Sequence, residues 1–464
     1  MKNTVVRLSE LTIKNIKNVG NGTVRIPQTS NLGNNTAAAI LGIYGQNGSG
    51  KTAIVDAMFF LQLIMSGKEL SAELNDYIDV SAKTAEIKAI FYIFNKEDFY
   101  DVEYRIIFSR SEDNIVINKE TLKCAISHNG EKIRNKTVFM DYSRSGKTEI
   151  FTPYNRLMEL VGNNKEIETS LVVAKKFAEI SKCSYVFGKN SMDVYKKGKK
   201  GDFGQFYFVL EELQNFAIRD FFVIKNSQSG AISANIALQI PFRLENNIEG
   251  LRGSFRVNLK EPSILNYKYK SILEGVIARI NIVLETIIPG MQIEIKDYGK
   301  QLLDSGEDGW KIELMSVRDG LRKIPIRMES DGIIKIVSIL NVLVQCFSDP
   351  SVCLVVDELD SGIFEYMLGE LLYMFSKNAK GQLIFTSHNL RALEMLDGSD
   401  IMFSTVNPNN RYIHMKNVKG SNNLRKMYFR CITLGGQEEE MYRETDTLKM
   451  ARAFGKAGRS WGDD

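Results

Sequence analysis

Residues 45–52 have the clearest chemical signature in the chain, because Gly-Gln-Asn-Gly-Ser-Gly-Lys-Thr matches the pattern G-x-x-x-x-G-K-[ST]. The glycines let successive backbone N–H groups point inward, so that the loop becomes a concave anion site. The positive end of a helix that starts at Lys51 adds to this field. The pattern predicts a nucleoside triphosphate here, with Lys51 at the β- and γ-phosphates and the Thr52 hydroxyl on Mg²⁺.

The flanking residues supply the context that this pattern requires. A short apolar run, Ala39–Tyr44, predicts a buried strand before the loop, and residues 51–65 predict a helix that is apolar nearly all round. A strand, a loop and a helix in this order distinguish a phosphate site from a plain glycine-rich turn. The plain turn is the alternative, and it is disfavoured because partner motifs follow in the right order.

A second chemical cluster lies at residues 352–358, Val-Cys-Leu-Val-Val-Asp-Glu. The continuous apolar run predicts a parallel strand that is covered on both faces. At its end, Asp357 is expected to support Mg²⁺ and Glu358 to polarise the attacking water. The alternative is an acidic pair that merely ends a strand at the surface.

His388 ends another predicted buried strand, Gly-Gln-Leu-Ile-Phe-Thr-Ser-His, 30 residues after Glu358. A histidine at the end of the neighbouring strand is placed to touch the γ-phosphate as a donor to developing charge. A purely structural histidine is the alternative.

Two short polar segments flank the predicted acidic strand. Ser330-Asp331-Gly332 opens an apolar helix at residues 333–347, and a helix N-terminus with a small hydroxyl residue is an anion site. The alternative is that Ser330 is an ordinary N-cap. Asp360-Ser361-Gly362 follows the acidic pair and predicts a turn that meets a second subunit.

Composition limits the class of protein. Sixty basic and 56 acidic residues give a formal net charge of +4, which is too mild to argue nucleic-acid binding from charge alone. Five dispersed cysteines are typical of reduced thiols and not of a zinc site. The start shows no signal peptide and no run of about 18 apolar residues appears, so we expect a cytoplasmic protein without a membrane segment.

The pattern along the chain divides it into four parts. Residues 1–152 are expected to form an N-terminal ATPase lobe with a hairpin at the start and an antiparallel sheet after the first helix. Residues 153–289 are expected to form a helical insertion that ends with a long helix at 261–287. Residues 290–420 are expected to form a second ATPase lobe, with strands near 291–295 and 310–314. Residues 421–464 are expected to be helical, with a helix at 436–458, and to be a candidate for partner docking.

Together these stretches resemble the ABC-type ATPases of the SMC, RecF and OLD group. Residues 45–52 look like the Walker A motif and residues 354–358 like Walker B. Residues 330–332 look like a shortened signature motif, residues 360–362 like the D-loop, and His388 like the switch histidine. The resemblance implies an α/β fold, a P-loop NTPase of the ABC-type ATPase head class, with a mixed sheet interrupted by the helical insertion.

The resemblance also implies the composition of the site. Two heads would sandwich ATP and Mg²⁺ as a homodimer or higher homo-oligomer, with Ser330 and Gly332 acting on the nucleotide of the other copy. Glu358, His388 and Lys51 would be catalytic, and Thr52 and Asp357 would hold the metal. The nucleotide contacts implied are Gly45, Gln46, Asn47, Gly48, Ser49, Gly50, Lys51, Thr52, Ala53, Ser330, Gly332 and Asp360. The group's Q-loop glutamine is left unplaced, since Gln205 and Gln214 have no clear flanking strand.

Within the group, a long coiled coil is missing, and the 76 residues after His388 are too few for a Toprim nuclease domain. The chain is therefore most similar to the stand-alone ATPase subunits of bacterial antiphage and abortive-infection systems, such as the Septu, PARIS and AbiL types. Those work with a separately encoded nuclease or toxin. The alternatives are a RecF-like repair ATPase that binds DNA and a nuclease that acts alone, for which the sequence shows no acidic metal cluster.

Overall fold

The computed structural model describes most of the chain. The described residues are 4–27, 38–111, 114–145, 150–199, 203–234, 236–243, 252–302, 306, 308–320, 322–416 and 423–459.

Eighteen strands lie in the described part of the chain. They are β1 (Thr4–Ile16), β2 (Val19–Arg25), β3 (Ala39–Tyr44), β4 (Thr84–Asn95), β5 (Asp98–Ser111), β6 (Asn114–His128), β7 (Glu131–Ser143), β8 (Phe221–Ile224), β9 (Ala237–Arg243), β10 (Arg252–Asn258), β11 (Ser263–Asn266), β12 (Met291–Leu302), β13 (Asp308–Arg318), β14 (Arg322–Pro325), β15 (Cys353–Val356), β16 (Gln382–Thr386), β17 (Ile401–Ser404) and β18 (Tyr412–Ile413).

Twelve α-helices complete the described elements. They are α1 (Lys51–Met65), α2 (Tyr154–Val161), α3 (Lys165–Ile180), α4 (Lys189–Tyr195), α5 (Gly204–Asn215), α6 (Asn226–Ser233), α7 (Tyr267–Ile287), α8 (Asp331–Ser348), α9 (Glu365–Asn378), α10 (Ala392–Met395), α11 (Leu424–Leu434) and α12 (Thr447–Arg459).

The central sheet has the strand order β18-β17-β3-β16-β15-β8 and is parallel except for the β17–β18 pair. Its strands β3, β15 and β16 are buried at every residue, as the continuous apolar runs predicted. Alternate residues serve two different cores: Leu41 of β3 and Val355 of β15 face one, whereas Ile40 and Leu354 face the other. Because the period of a strand is two residues, one run of apolar residues fills both faces.

A second sheet of six strands is antiparallel throughout, in the order β2-β1-β4-β5-β6-β7. It contains the predicted hairpin β1–β2 and the predicted run of strands after the first helix. Strand β4 alternates between buried and less buried residues, which is typical of a sheet with one face on the core. That core also contains α1, so the helix after the phosphate loop is covered by the antiparallel sheet.

The segment at 153–289 differs from the predicted helical insertion. It is continuously helical in pattern only from α2 to α5 and the π-helical turn at Phe216–Asp220, and strands then alternate with α6 and α7. The four residues after the π-helical turn form β8, which pairs with β15 and so belongs to the central sheet. Strands β9, β10 and β11 follow before α7. The apolar stretch Phe216–Ile224 has the composition of a buried helix or a buried strand, and only pairing with β15 decides for the strand.

Two further boundaries differ from the sequence predictions. The helix expected at 261–287 begins at Tyr267, because the preceding four residues pair with β13. The helix expected at 436–458 begins only at Thr447. The residues before it are held in a non-helical path by hydrogen bonds to the loop between β17 and β18, for example from Val406 N–H to the Glu440 carbonyl oxygen (2.8 Å). By contrast, the strands predicted near residues 291–295 and 310–314 are confirmed as parts of β12 and β13.

Candidate functional site

The phosphate loop, residues 45–52, joins the buried strand β3 to α1, as the sequence predicted. Gly45 lies so close to β17 that a Cβ atom there would come within 1.9 Å of the Ser404 hydroxyl oxygen. Gly50 has φ +90° immediately before α1, a conformation that glycine adopts at little cost. No side chain caps the first turn of α1, so its free N–H groups are available to an anion.

Lys51 directs two of its three donors at the loop itself. Its Nζ atom donates to the carbonyl oxygens of Gly45 (2.8 Å) and Gln46 (3.0 Å). Burial lowers the pKa of Lys51 to about 8, although the acidic residues that follow β15 act in the opposite direction. The amine is therefore poorly solvated and lies near negative charge, which suits it to exchange carbonyl oxygens for phosphate oxygens.

The acidic pair that follows β15 is held by hydrogen bonds to the neighbouring strand. Asp357 is 2% exposed, and its Oδ1 atom accepts a bond from Thr386 Oγ1 (2.6 Å). Thr386 Oγ1 in turn accepts a bond from the Glu358 N–H (2.7 Å). Glu358 has φ +49°, which is uncommon for a residue with a side chain. Lys335 Nζ donates to its carbonyl oxygen, so this backbone conformation is held from both sides.

Asn226 is a site residue that the sequence did not reveal. It follows β8 and its Nδ2 atom donates to Glu358 Oε2 (2.8 Å). The preceding Lys225 forms an ion pair with Asp56 of α1 (2.7 Å), a carboxylate that is fully buried and also bonds Lys17. Four apolar residues followed by two polar ones could have indicated a buried strand that ends at a functional site. The helical pattern on both sides made this strand hard to recognise.

His388 follows β16 and lies within the electric field of the other site residues. Its backbone N–H donates to Asp360 Oδ2 (3.0 Å). Partial burial lowers the pKa of the His388 imidazole, and the charge of Lys51 lowers it further, whereas the carboxylates of Asp360, Glu358 and Asp357 oppose the shift. At neutral pH the ring is therefore uncharged in this state, with one N–H to donate.

The segments at 330–332 and 360–362 are packed against each other. A Cβ atom at Gly332 would lie 1.7 Å from the Gly362 carbonyl oxygen, so neither position has room for a side chain. Ser330 is exposed at the N-cap of α8, and its side chain forms no capping bond, contrary to the plain N-cap alternative. The other oxygen of Asp360, Oδ1, is buried without a hydrogen-bond partner among the described residues.

The donor set around Thr52 and Asp357 fits Mg²⁺, because hydroxyl and carboxylate oxygens are hard ligands. Elsewhere, the ranges that the structure describes contain no group of three or more His, Cys, Asp or Glu residues arranged to hold a metal ion. Among the remaining predicted contacts, Asn47 and Gly48 are exposed on the loop, whereas Ser49 and Ala53 are buried beneath it.

Within the described residues, neither of the two glutamines considered for the Q-loop forms a hydrogen bond with the acidic pair. Gln214 Nε2 donates to the Phe187 carbonyl oxygen (2.8 Å), and Gln205 is exposed on α5. The side-chain amide that does contact the acidic pair is that of Asn226.

Strand order, the phosphate loop between β3 and α1, and the acidic pair after β15 together define the fold. It is an α/β fold of the P-loop NTPase type found in ABC-type ATPase heads. Within the described ranges one helix, α8, is long and apolar enough to cross a membrane, and 72% of it is buried inside the protein.

Comparison with solved structures finds distant similarity to SMC heads and to RecF. The Smc head domain with an extended coiled coil from Pyrococcus furiosus, bound to the C-terminal domain of ScpA, has 13% identity and a TM-score of 0.38, covering 88% of this chain and 96% of that chain. The SMC head domain from Thermotoga maritima has 14% identity and a TM-score of 0.36, covering 88% and 99%. The recombination mediator protein RecF with ATP has 12% identity and a TM-score of 0.32, covering 83% and 94%. Family models and curated proteins give no match.

Proposed function

We propose that this protein is an ABC-type ATPase that binds and hydrolyses ATP and dimerises around it. The observation that carries the proposal is convergence: the phosphate loop with Lys51 follows β3, the acidic pair follows β15 and His388 follows β16, and hydrogen bonds from Thr386 to Asp357 and from His388 to Asp360 hold the last two segments together. A loop that only connects a strand to a helix does not require acidic residues and a histidine from neighbouring strands beside it.

Each side chain has a role that follows from its position. Lys51 would bind the β- and γ-phosphates, and Thr52 and Asp357 would hold Mg²⁺, which supplies charge neutralisation to the phosphates when bound. Glu358 would orient and polarise the attacking water, and the neutral His388 ring would donate a hydrogen bond to the transferred group. The Asn226 amide fixes the direction of the Glu358 carboxylate.

Association of two copies is supported by the packed segments at 330–332 and 360–362. Ser330 is exposed and its side chain forms no capping bond, so its hydroxyl is available to a second copy. A second copy that presents its nucleotide to this helix N-terminus would accept a hydrogen bond from that hydroxyl. We therefore propose a homodimer, or a higher homo-oligomer built from it, with Ser330 and Gly332 acting on the partner's nucleotide.

The biological role that we propose is a switch in antiphage defence. ATP-dependent closure and reopening would control a separately encoded effector, a nuclease or a toxin. Support for this role comes from the sequence resemblance to stand-alone ATPase subunits. A RecF-like DNA-binding ATPase is the second candidate, favoured by the same motifs.

The decisive experiment uses Glu358→Gln, which should bind ATP but not hydrolyse it. We expect this variant to shift from monomer to dimer mass when Mg²⁺ and ATP are added, as measured by light scattering. Lys51→Ala should neither bind ATP nor dimerise, and it serves as the control. If Glu358→Gln binds ATP and its mass stays unchanged, the dimer mechanism is wrong.

The two biological roles are separated by measuring affinity for duplex DNA. A DNA-binding ATPase should bind duplex DNA when ATP is present, with log K falling linearly with log salt concentration because several phosphate contacts release counterions. An effector switch should instead co-purify with the product of an adjacent gene. The Glu358→Gln variant should release that product when it is saturated with ATP.

A further inference from the structure

Residues 437–443, here called the C-terminal strap, cross the molecule beside the phosphate loop. The strap joins α11 to α12 and contains no helix or strand. The Glu439 carboxylate accepts bonds from the side-chain amides of Asn407 and Asn410, both at 2.9 Å. Met441 is 3% exposed and packs into the core. Polar and apolar contacts together therefore fix the position of the strap on the protein, whereas a terminal tail without such contacts is poorly ordered.

The strap ends on Gln46, inside the phosphate loop. The Arg443 N–H donates to Gln46 Oε1 (3.1 Å), and Gln46 Nε2 donates to the Arg443 carbonyl oxygen (3.3 Å). This pair of bonds engages both polar atoms of the side chain. A primary amide satisfied in this way is held in one orientation.

The same residue also holds the Lys51 amine. The Gln46 carbonyl oxygen accepts from Lys51 Nζ (3.0 Å) and from the Ser49 hydroxyl (2.6 Å). Gln46 thus links the strap, through its side chain, to the lysine that would bind phosphate, through its carbonyl group. Each bond that keeps Gln46 in place favours the arrangement in which two of the three donors of Lys51 are directed at loop carbonyl oxygens and not at phosphate.

We propose that the C-terminal strap is an autoinhibitory contact: it stabilises the arrangement of the phosphate loop in which Lys51 donates to the Gly45 and Gln46 carbonyl oxygens, and it must loosen its hold on Gln46 when ATP binds. This inference rests on the proposed function. It makes ATP affinity depend on residues almost 400 positions away in the sequence, since Gln46 and Arg443 are 397 residues apart. Helix α12 begins four residues after Arg443, so a shift of the strap would also move that helix.

The test compares two substitutions at one exposed position. Arg443→Pro removes the N–H that bonds Gln46 Oε1, whereas Arg443→Ala keeps it and removes only the side chain. We expect Arg443→Pro to bind a fluorescent ATP analogue with Mg²⁺ about fivefold more tightly than the wild type, as the loss of one hydrogen bond from the free state implies. Arg443→Ala should stay within about twofold of the wild type. Anisotropy titrations at concentrations where the chain is monomeric keep dimerisation out of the measurement.

A second variant tests the same contact in case Arg443→Pro does not fold. Glu439→Ala removes the two amide bonds that seat the strap, and it should tighten ATP binding in the same direction while circular dichroism stays unchanged. If Arg443→Pro binds ATP as the wild type does, or more weakly, or if Arg443→Ala tightens binding equally, the strap does not act through this contact. If instead the proposed ATPase function is wrong, the wild type and Lys51→Ala will show equal ATP binding, which distinguishes that outcome from failure of the strap proposal.

Discussion

At the scale of single residues, the candidate chemistry depends on burial as much as on residue type. Lys51 and His388 have lowered pKa values because burial disfavours their charged forms. Bound phosphate would reverse this for Lys51, since its negative charge favours the ammonium form. Above about pH 8 the free and bound states therefore differ in the protonation of Lys51.

The first prediction concerns the pH dependence of ATP binding. In the free protein the pKa of Lys51 is about 8, and a bound triphosphate raises it, so binding above pH 8 takes up a proton. Affinity should fall as pH rises from about 8, by up to about tenfold per pH unit. Calorimetry in two buffers of different ionisation enthalpy measures the uptake directly. Lys51→Arg, whose guanidinium remains charged, should remove the uptake, and equal uptake in both proteins would contradict the assignment.

The second prediction concerns Asn226, which orients Glu358 without a place in the nucleotide loop. Asn226→Ala should lower kcat about tenfold while KM stays within about twofold, because misorientation of a reacting group affects the chemical step and not substrate binding. Steady-state ATP hydrolysis measures both constants, and Asn226→Gln should restore part of the rate. A raised KM with an unchanged kcat would show that Asn226 acts on binding instead.

At the scale of elements, a buried side chain of the central sheet bonds directly to the backbone of the antiparallel sheet. Gln382 of β16 is fully buried, and its amide accepts from the Leu8 N–H (2.9 Å) and donates to the Leu8 carbonyl oxygen (2.7 Å). Leu8 lies where the pairing of β1 with β4 shifts register. The side chain of Gln382 therefore satisfies backbone groups that the irregular strand leaves free.

The third prediction compares two buried glutamines. Gln382→Met should lower the free energy of unfolding by about 2–4 kcal/mol, because two buried backbone groups of Leu8 lose their partners. Gln345 of α8 is the matched control, since its side-chain nitrogen and oxygen are buried without partners in the part of the chain that the structure describes. Gln345→Met should be neutral or stabilising by about 1 kcal/mol. Urea unfolding of both variants measures the difference. Equal decreases in the free energy of unfolding would contradict the proposed role of Gln382 between the two sheets.

At the scale of the whole molecule, the helical segment α2–α5 is attached to the antiparallel sheet through a buried carboxylate. Glu120 of β6 is fully buried and accepts bonds from the hydroxyl groups of Tyr104 and Ser184 and from the Tyr185 N–H (2.7 Å). Burial raises the pKa of Glu120 in spite of these donors. The contact therefore makes overall stability sensitive to pH.

The fourth prediction follows from the sign of that shift. A carboxyl group with a raised folded pKa contributes its full stability below its unfolded pKa, near 4.5, and loses it as pH rises through the folded pKa. The stability of the wild type relative to Glu120→Gln should therefore decline with increasing pH from 4.5 upward. Chemical unfolding of both proteins over this range measures the difference, in which other titrating groups cancel. A difference that is constant with pH would contradict the buried-carboxyl explanation.

Local patterns in the sequence were sufficient for the phosphate loop, the acidic strand and the strand that ends at His388. In each, the signal is a continuous apolar run followed within a few residues by the chemical group, and such runs need no distant partner to be recognised. The antiparallel sheet was likewise predictable, because alternating apolar residues mark a strand with one face on a core.

Only the tertiary structure decided the conformation of residues 216–224 and the contacts of Asn226 and of the strap. The chain from Phe216 to Ile224 becomes a helical turn and then a strand only because β15 offers an open edge, and that pairing carries Asn226 to Glu358. The strap reaches Gln46 across 397 residues, a separation that no periodicity encodes. The sequence determined which residues can do chemistry, since residue type and local spacing are properties of the chain. The fold decided which residues orient and restrain them, because those contacts depend on strand order and packing between distant segments.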